Sequence, residues 1–287
     1  SRIAGLEPIA IEGFERAVID NTRLKGGEMP GIGLYPEGDA WLLVEFGADT
    51  KAKALAMANK AQSWIERHDH DHCGMRLLED KKEQKEAIEV RELGLGASRV
   101  PGKLPDTWPG WEDAAVPPEK LGDYLRDFYA LCVRYGYFVV VYGHFGQGCI
   151  HARMDFDLRT VEGVAKYRRF VTEAAKIVVG YGGSRSGERG DGQSRAELLP
   201  IMFGPRLVEA FGRFKRIWDP SGKMNPGKVV DPYPLDTNLR TGPDYKPLAL
   251  PTIFPFPEDH GSMAEPTERC LGVGKCRKLD GGTMCPS

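Results

Sequence analysis

Apolar and polar positions alternate along the chain in a way that separates strand-like from helix-like stretches. Residues 6–24 carry a helical spacing and predict an entry helix. Trp41-Leu42-Leu43-Val44-Glu45-Phe46 predicts a strand, and Asp49-Thr50 offers an N-cap to an alanine-rich helix over 51–67. A short strand at 75–78 and a charged helix over 81–93 follow. Residues 94–118 are rich in Gly, Pro and Trp without periodicity and predict a long loop. A helix over 118–135 then leads to an apolar strand at 137–142 and a turn at 143–148. Beyond the turn, Ile150, Ala152, Met154 and Phe156 alternate with His151, Arg153, Asp155 and Asp157. That period of two predicts a half-buried strand with His151 on its polar face. Thr160 caps a helix running to about 179, and 196–218 supplies the last helices.

Strands separated by helices, with a hairpin in the middle, predict an α+β fold in which helices cover an antiparallel sheet. After Val230 the pattern changes, because eight of the 21 prolines lie between Pro232 and Pro266. This predicts one domain over 1–230 and a Pro-rich extended tail over 231–287. No internal repeat is visible.

Composition narrows the function classes. A hydrophobic content of 41% over 287 residues excludes wholesale disorder. The 39 basic side chains do not exceed the 41 acidic ones, so there is no surplus to neutralise nucleic-acid phosphates. The longest apolar run, 137–142, is far short of the ~20 residues of a membrane helix, and no signal-peptide pattern opens the chain. The protein is therefore expected in the cytoplasm, with peripheral association at the inner face of the membrane compatible with it. The 35 glycines are about 12% of the chain against a usual ~7%, which points to backbone turns and close approaches. The chain opens at Ser1 without methionine and stops two residues after Cys285, and it is expected to be part of a longer protein.

Of the six cysteines, Cys132 lies in a helix pattern and is expected in the core, whereas Cys73 and Cys149 are single. Cys270, Cys276 and Cys285-Pro286 form a tail cluster. Three thiols spaced by small residues and ending in Cys-Pro suit an iron–sulfur cluster better than zinc, which normally shows a Cys-x2-Cys pair. A fourth thiolate is lacking, so the ligand set is incomplete. In Gly143-His144-Phe145-Gly146-Gln147-Gly148-Cys149-Ile150-His151 the glycines exclude a helix, which puts His144 in the turn and His151 on the outgoing strand. A hairpin lets two such imidazoles converge on one metal ion; a turn histidine beside a surface histidine is the plainer alternative. The segment Tyr181 to Gly192 lacks the lysine of a phosphate loop and the register of a dinucleotide loop, although its Glu188 could serve as a carboxylate ligand or base. The tract His68-Asp69-His70-Asp71-His72-Cys73 follows a helix end, where metal uptake would be adventitious.

Together these segments resemble the C-terminal half of FAD-linked oxidases of the vanillyl-alcohol oxidase superfamily, a group that includes D-lactate, glycolate and D-2-hydroxyglutarate dehydrogenases. Gly143-His144 through Gly148 and His151 is similar to that family's Gly-His-x-Gly-Asp-Gly-Asn-x-His. Ser186-Gly187-Glu188-Arg189-Gly190 resembles its Ser-Gly-Glu-His-Gly, and Asp219-Pro220 through Asn225-Pro226-Gly227-Lys228 its closing Asp-Pro…Asn-Pro-Gly-Lys. Residues 264–287 look like the start of a 4Fe-4S ferredoxin-type region fused to the flavoprotein in one bacterial subgroup. The resemblance implies a ferredoxin-like cap domain that covers the flavin, with FAD bound mainly by an N-terminal domain lying outside this sequence. It implies oxidation of a small D-2-hydroxy acid, with hydride passing to FAD and electrons to iron–sulfur clusters and an electron-transfer acceptor. It assigns a divalent metal, Zn or Mn, to His144, His151 and Glu188, and the substrate carboxylate to Arg91 beside Glu92. Asn225 and Lys228 are expected near the flavin–domain junction, or else as a helix stop and turn. Cys270, Cys276 and Cys285 would begin the cluster ligands. Gln147 and Cys149 replace the family's Asp and Asn. Arg189 replaces its histidine base and cannot deprotonate near neutral pH. A metal-binding interaction module without catalysis is the alternative reading.

Overall fold

The computed structural model describes residues 2–24, 30–68, 74–92, 104, 106–268 and 270. These fall into two compact units, the first built from Trp108–Val139 and Phe145–Tyr245, the second from Arg2–Thr107, Val140–His144 and the residues from Lys246 onward. Both combine antiparallel strands with helices, as the α+β pattern predicts.

In the second unit, β1 (Ala10–Glu15) runs antiparallel to β2 (Ala40–Glu45) along its whole length and also to β4 (Val139–His144), pairing Gly13 with Gly143 and Phe14 with Tyr142. Residues 10–15 are thus a strand, where the helical spacing had predicted one helix from residue 6; α1 begins only at Arg16 and ends at Leu24. Ile11 and Phe14 are buried together with Val18 and Ile19 of α1. Phe14, Tyr35 and Trp41 pack ring against ring at 5.2 to 5.7 Å. The helices α2 (Lys51–His68) and α3 (Lys81–Glu92) match the expected spans. The Tyr35 hydroxyl donates to the Ala87 carbonyl of α3. Residues 74–79 take no regular structure, so the strand expected at 75–78 does not form.

In the first unit, β3 (Trp108–Ala115) pairs antiparallel with β5 (Cys149–Met154). The long loop expected over 94–118 therefore contains a strand, and residues 93–103 and 105 lie outside the described residues. The chain continues through α4 (Leu121–Tyr135) and, after β5, α5 (Val161–Gly180), the single-turn α6 (Gly192–Arg195) and α7 (Leu199–Trp218). Gly136 in the left-handed conformation ends α4, and the Thr160 hydroxyl accepts the Gly163 N–H at the start of α5. A kink at Gly204-Pro205 divides α7. The core joins Trp111 and Ile150 of the strands to Tyr124, Phe128 and Leu131 of α4 and Phe170, Ala174 and Val178 of α5. Cys132 is buried in it, as the helical pattern predicts. Trp111 donates its indole N–H to the Tyr124 hydroxyl at 3.0 Å, so the largest core side chain leaves no polar atom unmet.

Two expectations about the hairpin are corrected. His144 closes strand β4 rather than sitting in the turn, which is a short 3₁₀ segment at Phe145–Gln147. Every residue of β5 is buried, so the His151 face is an interior polar face and not a solvated one. Past Val230 no strand forms among the described residues, yet Leu235 and Thr241 are buried. The Glu197 carboxylate accepts the Leu235 N–H, and Arg168 ties Asp236 to the helices at 3.1 Å. A helix at Ala264–Glu268, α8, is the last described element.

Candidate functional site

The polar interior of the first unit is set by an irregular strand. Glu112 of β3 lies opposite His151 of β5, and opposite residues of an antiparallel pair share a face. The register slips between Glu112 and Ala114, leaving Asp113 as an extra residue with φ +63°. In a regular strand Asp113 would point away from His151; at this bulge both carboxylates reach the same imidazole. The Asp113 Oδ1 lies 3.1 Å from His151 Nδ1, and the Glu112 Oε2 3.3 Å from it. On the other side of the ring, His151 Nε2 lies 3.4 Å from the Glu188 carboxylate.

Glu188 is presented by the glycine-rich segment, which docks on β3 as a second strand would. Ala115 and Ser184 exchange backbone bonds at 2.8 and 2.7 Å, and the Gly187 N–H donates to the Asp113 carbonyl at 2.7 Å. At Gly187 a side chain would meet the Ala115 Cβ at 2.5 Å, so close backbone approach explains this glycine without invoking a phosphate.

Charge around His151 is dense. Burial by itself would lower the His151 pKa, but the hydrogen-bonded carboxylates of Asp113 and Glu112 outweigh it and raise it to about 9. Burial likewise pushes Asp113 up, yet His151 and Arg189 together hold its carboxyl below the ordinary range. Arg189 donates to Asp113 Oδ1 at 2.6 Å and lies 3.4 Å from Glu112. These carboxylates more than offset its own desolvation and raise its pKa further, so Arg189 does not serve as a base. Arg153, two residues from His151, sets its Nε 3.1 Å from Glu112. Arg185 pairs with Asp191 at 2.8 Å and donates to the Arg195 carbonyl, while Arg195 donates to the backbone oxygens of Arg185 and Glu112. Burial pushes the Cys149 thiol up to about 12, which keeps it protonated and unlike a thiolate ligand.

The second unit holds the other predicted residues. Arg91 of α3 is ion-paired with Glu12 of β1. The His144 Nδ1 lies 2.8 Å from the Glu12 carboxylate and 3.3 Å from the Arg91 guanidinium. The Arg91 guanidinium stands 6.0 Å from the Tyr142 ring centre. The structure thus brings His151 and Glu188 together in one unit, and Arg91 and His144 together in the other. Sequence reasoning missed Glu12, Glu112 and Asp113. For the acidic pair, the available signal was two adjacent carboxylates between apolar neighbours, Trp111 and Ala114.

The closing motif is a braced turn. Asp219 accepts from the Lys215 ammonium at 2.5 Å and from the Lys223 and Met224 N–H groups. Asn225 has φ +46°, and Lys228 donates to the Gln193 side chain at 2.6 Å. Cys270 is exposed and unbridged, while Cys276 and Cys285 lie outside the described residues, as do residues 69–73 of the histidine tract. His68 closes α2 stacked on Trp64 at 4.4 Å. Among the described residues no helix is long and apolar enough to cross a membrane.

Comparison with known proteins agrees with this picture. Residues 2–229 match the family model described as FAD linked oxidases, C-terminal domain. The chain is 32% identical over 259 residues to a D-2-hydroxyglutarate dehydrogenase of Pseudomonas putida, covering 85% of this chain and 24% of that protein. It is 27% identical over 253 residues to the enzyme of the same name from Escherichia coli, with the same coverages. A D-lactate dehydrogenase of Archaeoglobus fulgidus is 29% identical over 224 residues, covering 78% of this chain and 46% of that protein. The chain spans about a quarter of the length of the first two relatives. Since the family match takes in nearly all of both units' strands and helices, the chain belongs to the FAD-linked oxidases, as their C-terminal domain.

Proposed function

We propose that this chain is the substrate-side domain of a flavin-dependent dehydrogenase that oxidises a D-2-hydroxy acid of the D-lactate, glycolate or D-2-hydroxyglutarate type. The observation that carries the reading is His151, a buried imidazole with carboxylates on one nitrogen and the Glu188 carboxylate facing the other. Metal-bound histidines characteristically give their remaining N–H to a carboxylate, so this donor set fits a divalent ion such as Zn or Mn. His144 joins His151 and Glu188 as a ligand on the strength of the sequence motif.

When bound, FAD accepts hydride from the substrate carbon and the metal ion supplies Lewis acidity at the substrate hydroxyl. FAD is held mainly by a flavin-binding domain outside these residues. Arg91 binds the substrate carboxylate through its planar fork, exchanging part of its pairing with Glu12 for the ligand. Glu188 orients the hydroxyl, and Arg189 supplies positive charge without accepting a proton. Cys270, Cys276 and Cys285 would supply the first thiolate ligands of a 4Fe-4S region, which would serve to carry electrons to an electron-transfer acceptor.

Anaerobic mixing of the full-length flavoprotein with D-lactate, glycolate, D-2-hydroxyglutarate and D-malate tests the reading. One of these should bleach the flavin band, and His151→Ala should abolish that bleaching while retaining flavin. A flavin that stays oxidised with all four refutes the substrate class.

A further inference from the structure

The bulge in β3 is the least regular part of the first unit, and it places a carboxylate where a strand would put none. Asp113 is fully buried, at φ +63°, in a conformation that L residues other than Asn, Asp and Gly rarely adopt. Its Oδ1 lies within hydrogen-bond reach of two groups at once, 2.6 Å from the Arg189 guanidinium and 3.1 Å from His151 Nδ1. Arg189 also lies 3.3 Å from His151 Nδ1. With a proton on Nδ1 that last contact is donor against donor, so the shared carboxylate oxygen is what satisfies both. Glu112 is the weaker candidate for this role. It is farther from Nδ1, at 3.3 Å, and its other oxygen is turned towards Arg153.

We infer that Asp113 is the positioning residue of the site: clamped by Arg189, it binds the His151 Nδ1–H and so leaves Nε2 as the nitrogen that meets a metal ion. This gives Arg189 a role that a base could not fill, since its guanidinium donates to Asp113 Oδ1 at 2.6 Å and holds that oxygen in place. The inference rests on the reading of His151 as a metal ligand, but its first half, the orientation of the ring, stands independently of any metal.

Two measurements test it on this chain. In the metal-free protein, NMR of the histidine ring should show an Nδ1–H proton on His151 that exchanges slowly with solvent. Asp113→Ala should speed that exchange at least ~10-fold, whereas Asp113→Asn, which keeps an acceptor of the same shape, should preserve it. Unchanged ring signals in Asp113→Ala overturn the inference. Titration with Mn2+ alone then reads the consequence: Asp113→Ala should weaken binding about 10–100-fold and Asp113→Asn by less. If His151→Ala abolishes Mn2+ binding but Asp113→Ala leaves it unchanged, the positioning role falls and the metal reading survives. If His151→Ala leaves Mn2+ binding unchanged, the metal reading falls and the ring measurement alone decides for or against Asp113. Should Asp113→Ala fail to fold, Asp113→Gly, which suits the positive φ, replaces it in both measurements.

Discussion

Gly148 offers the sharpest test of how the sequence builds the hairpin. It has φ +70°, and a Cβ there would run into the Val116 carbonyl oxygen and stand 3.1 Å from its carbon and 3.3 Å from the Pro118 nitrogen. The same two residues are joined by a Val116 N–H to Gly148 carbonyl bond of 3.0 Å. Placing an L side chain in the left-handed region costs about 1–2 kcal/mol. Pushing β3 away to relieve the clash leaves a buried donor unmet, at about 1–3 kcal/mol. Gly148→Ala should therefore destabilise by about 2–5 kcal/mol, a large share of the ~5–15 kcal/mol that holds a typical domain. At about 2–4 °C per kcal/mol for chains of this size, the thermal midpoint should fall by roughly 5–20 °C. Gly180→Ala is the matched control, because Gly180 ends α5 with open space around its Cα and alanine is the better helix former, worth up to about 1 kcal/mol. Thermal unfolding followed by circular dichroism measures both. A Gly148→Ala midpoint within a degree or two of the parent would refute the steric reasoning, and so would a fall as large in Gly180→Ala.

Other substitutions probe separate links. Thr160→Ala removes the side-chain acceptor for the Gly163 N–H and should cost about 1 kcal/mol in a denaturant titration; no loss would mean that α5 is held by packing alone. Trp111→Ala empties the fully buried centre of the first unit and should cost about 3–5 kcal/mol by the same titration. The Lys215 ammonium and the Met224 N–H hold the Asp219 carboxyl at about 2, below its ordinary 3.8. A depressed carboxylate adds stability above the unfolded value that is lost as pH falls through the folded one. Asp219→Asn should therefore flatten the acid-unfolding curve between those two pH values, and an unaltered curve would show that the turn draws nothing from the charge.

How far the site was legible depends on where periodicity survives. The Gly-rich hairpin, the Thr160 cap and the spacing of α5 are local signals, and the hairpin pointed directly to His151; Glu188 came from the glycine-rich segment 181–192 and Arg91 only from the family resemblance. Residues 10–15 read as helix because Glu12 and Glu15 fall at helical spacing, while the strand buries Ile11, Gly13 and Phe14 without strict alternation. That misreading hid Glu12, the carboxylate that Arg91 and His144 share. Asp113 was hidden for a related reason. Two register slips in eight residues destroy the period of two in β3, and Pro109 and Gly110 add loop chemistry to its start. The buried face of β5 was misjudged because alternation reports polarity, and here the polar face is covered by protein groups of opposite charge. Long-range ion pairs of this kind leave no local trace.

Asp113 finally separates what the backbone needs from what the side chain does. Buried ion pairs are poor stabilisers, since desolvation consumes most of their attraction. A bulge at φ +63° that served the fold alone would be better made by glycine, which occupies that region freely. Asp113→Ala keeps the strained backbone and loses the carboxylate; Asp113→Gly loses the same carboxylate but relieves strain worth about 1–2 kcal/mol. The glycine variant should therefore be the more stable of the two by about that amount, by thermal or denaturant unfolding. In either variant Arg189, whose side chain is 59% exposed, can turn to solvent. His151 keeps Glu112 as a neighbour. Both variants should nevertheless lose Mn2+ affinity to the same degree, because both remove the acceptor of the Nδ1–H. If stability and metal affinity instead fell and recovered together, with Gly restoring both, the bulge geometry alone would be doing what is here assigned to the carboxylate.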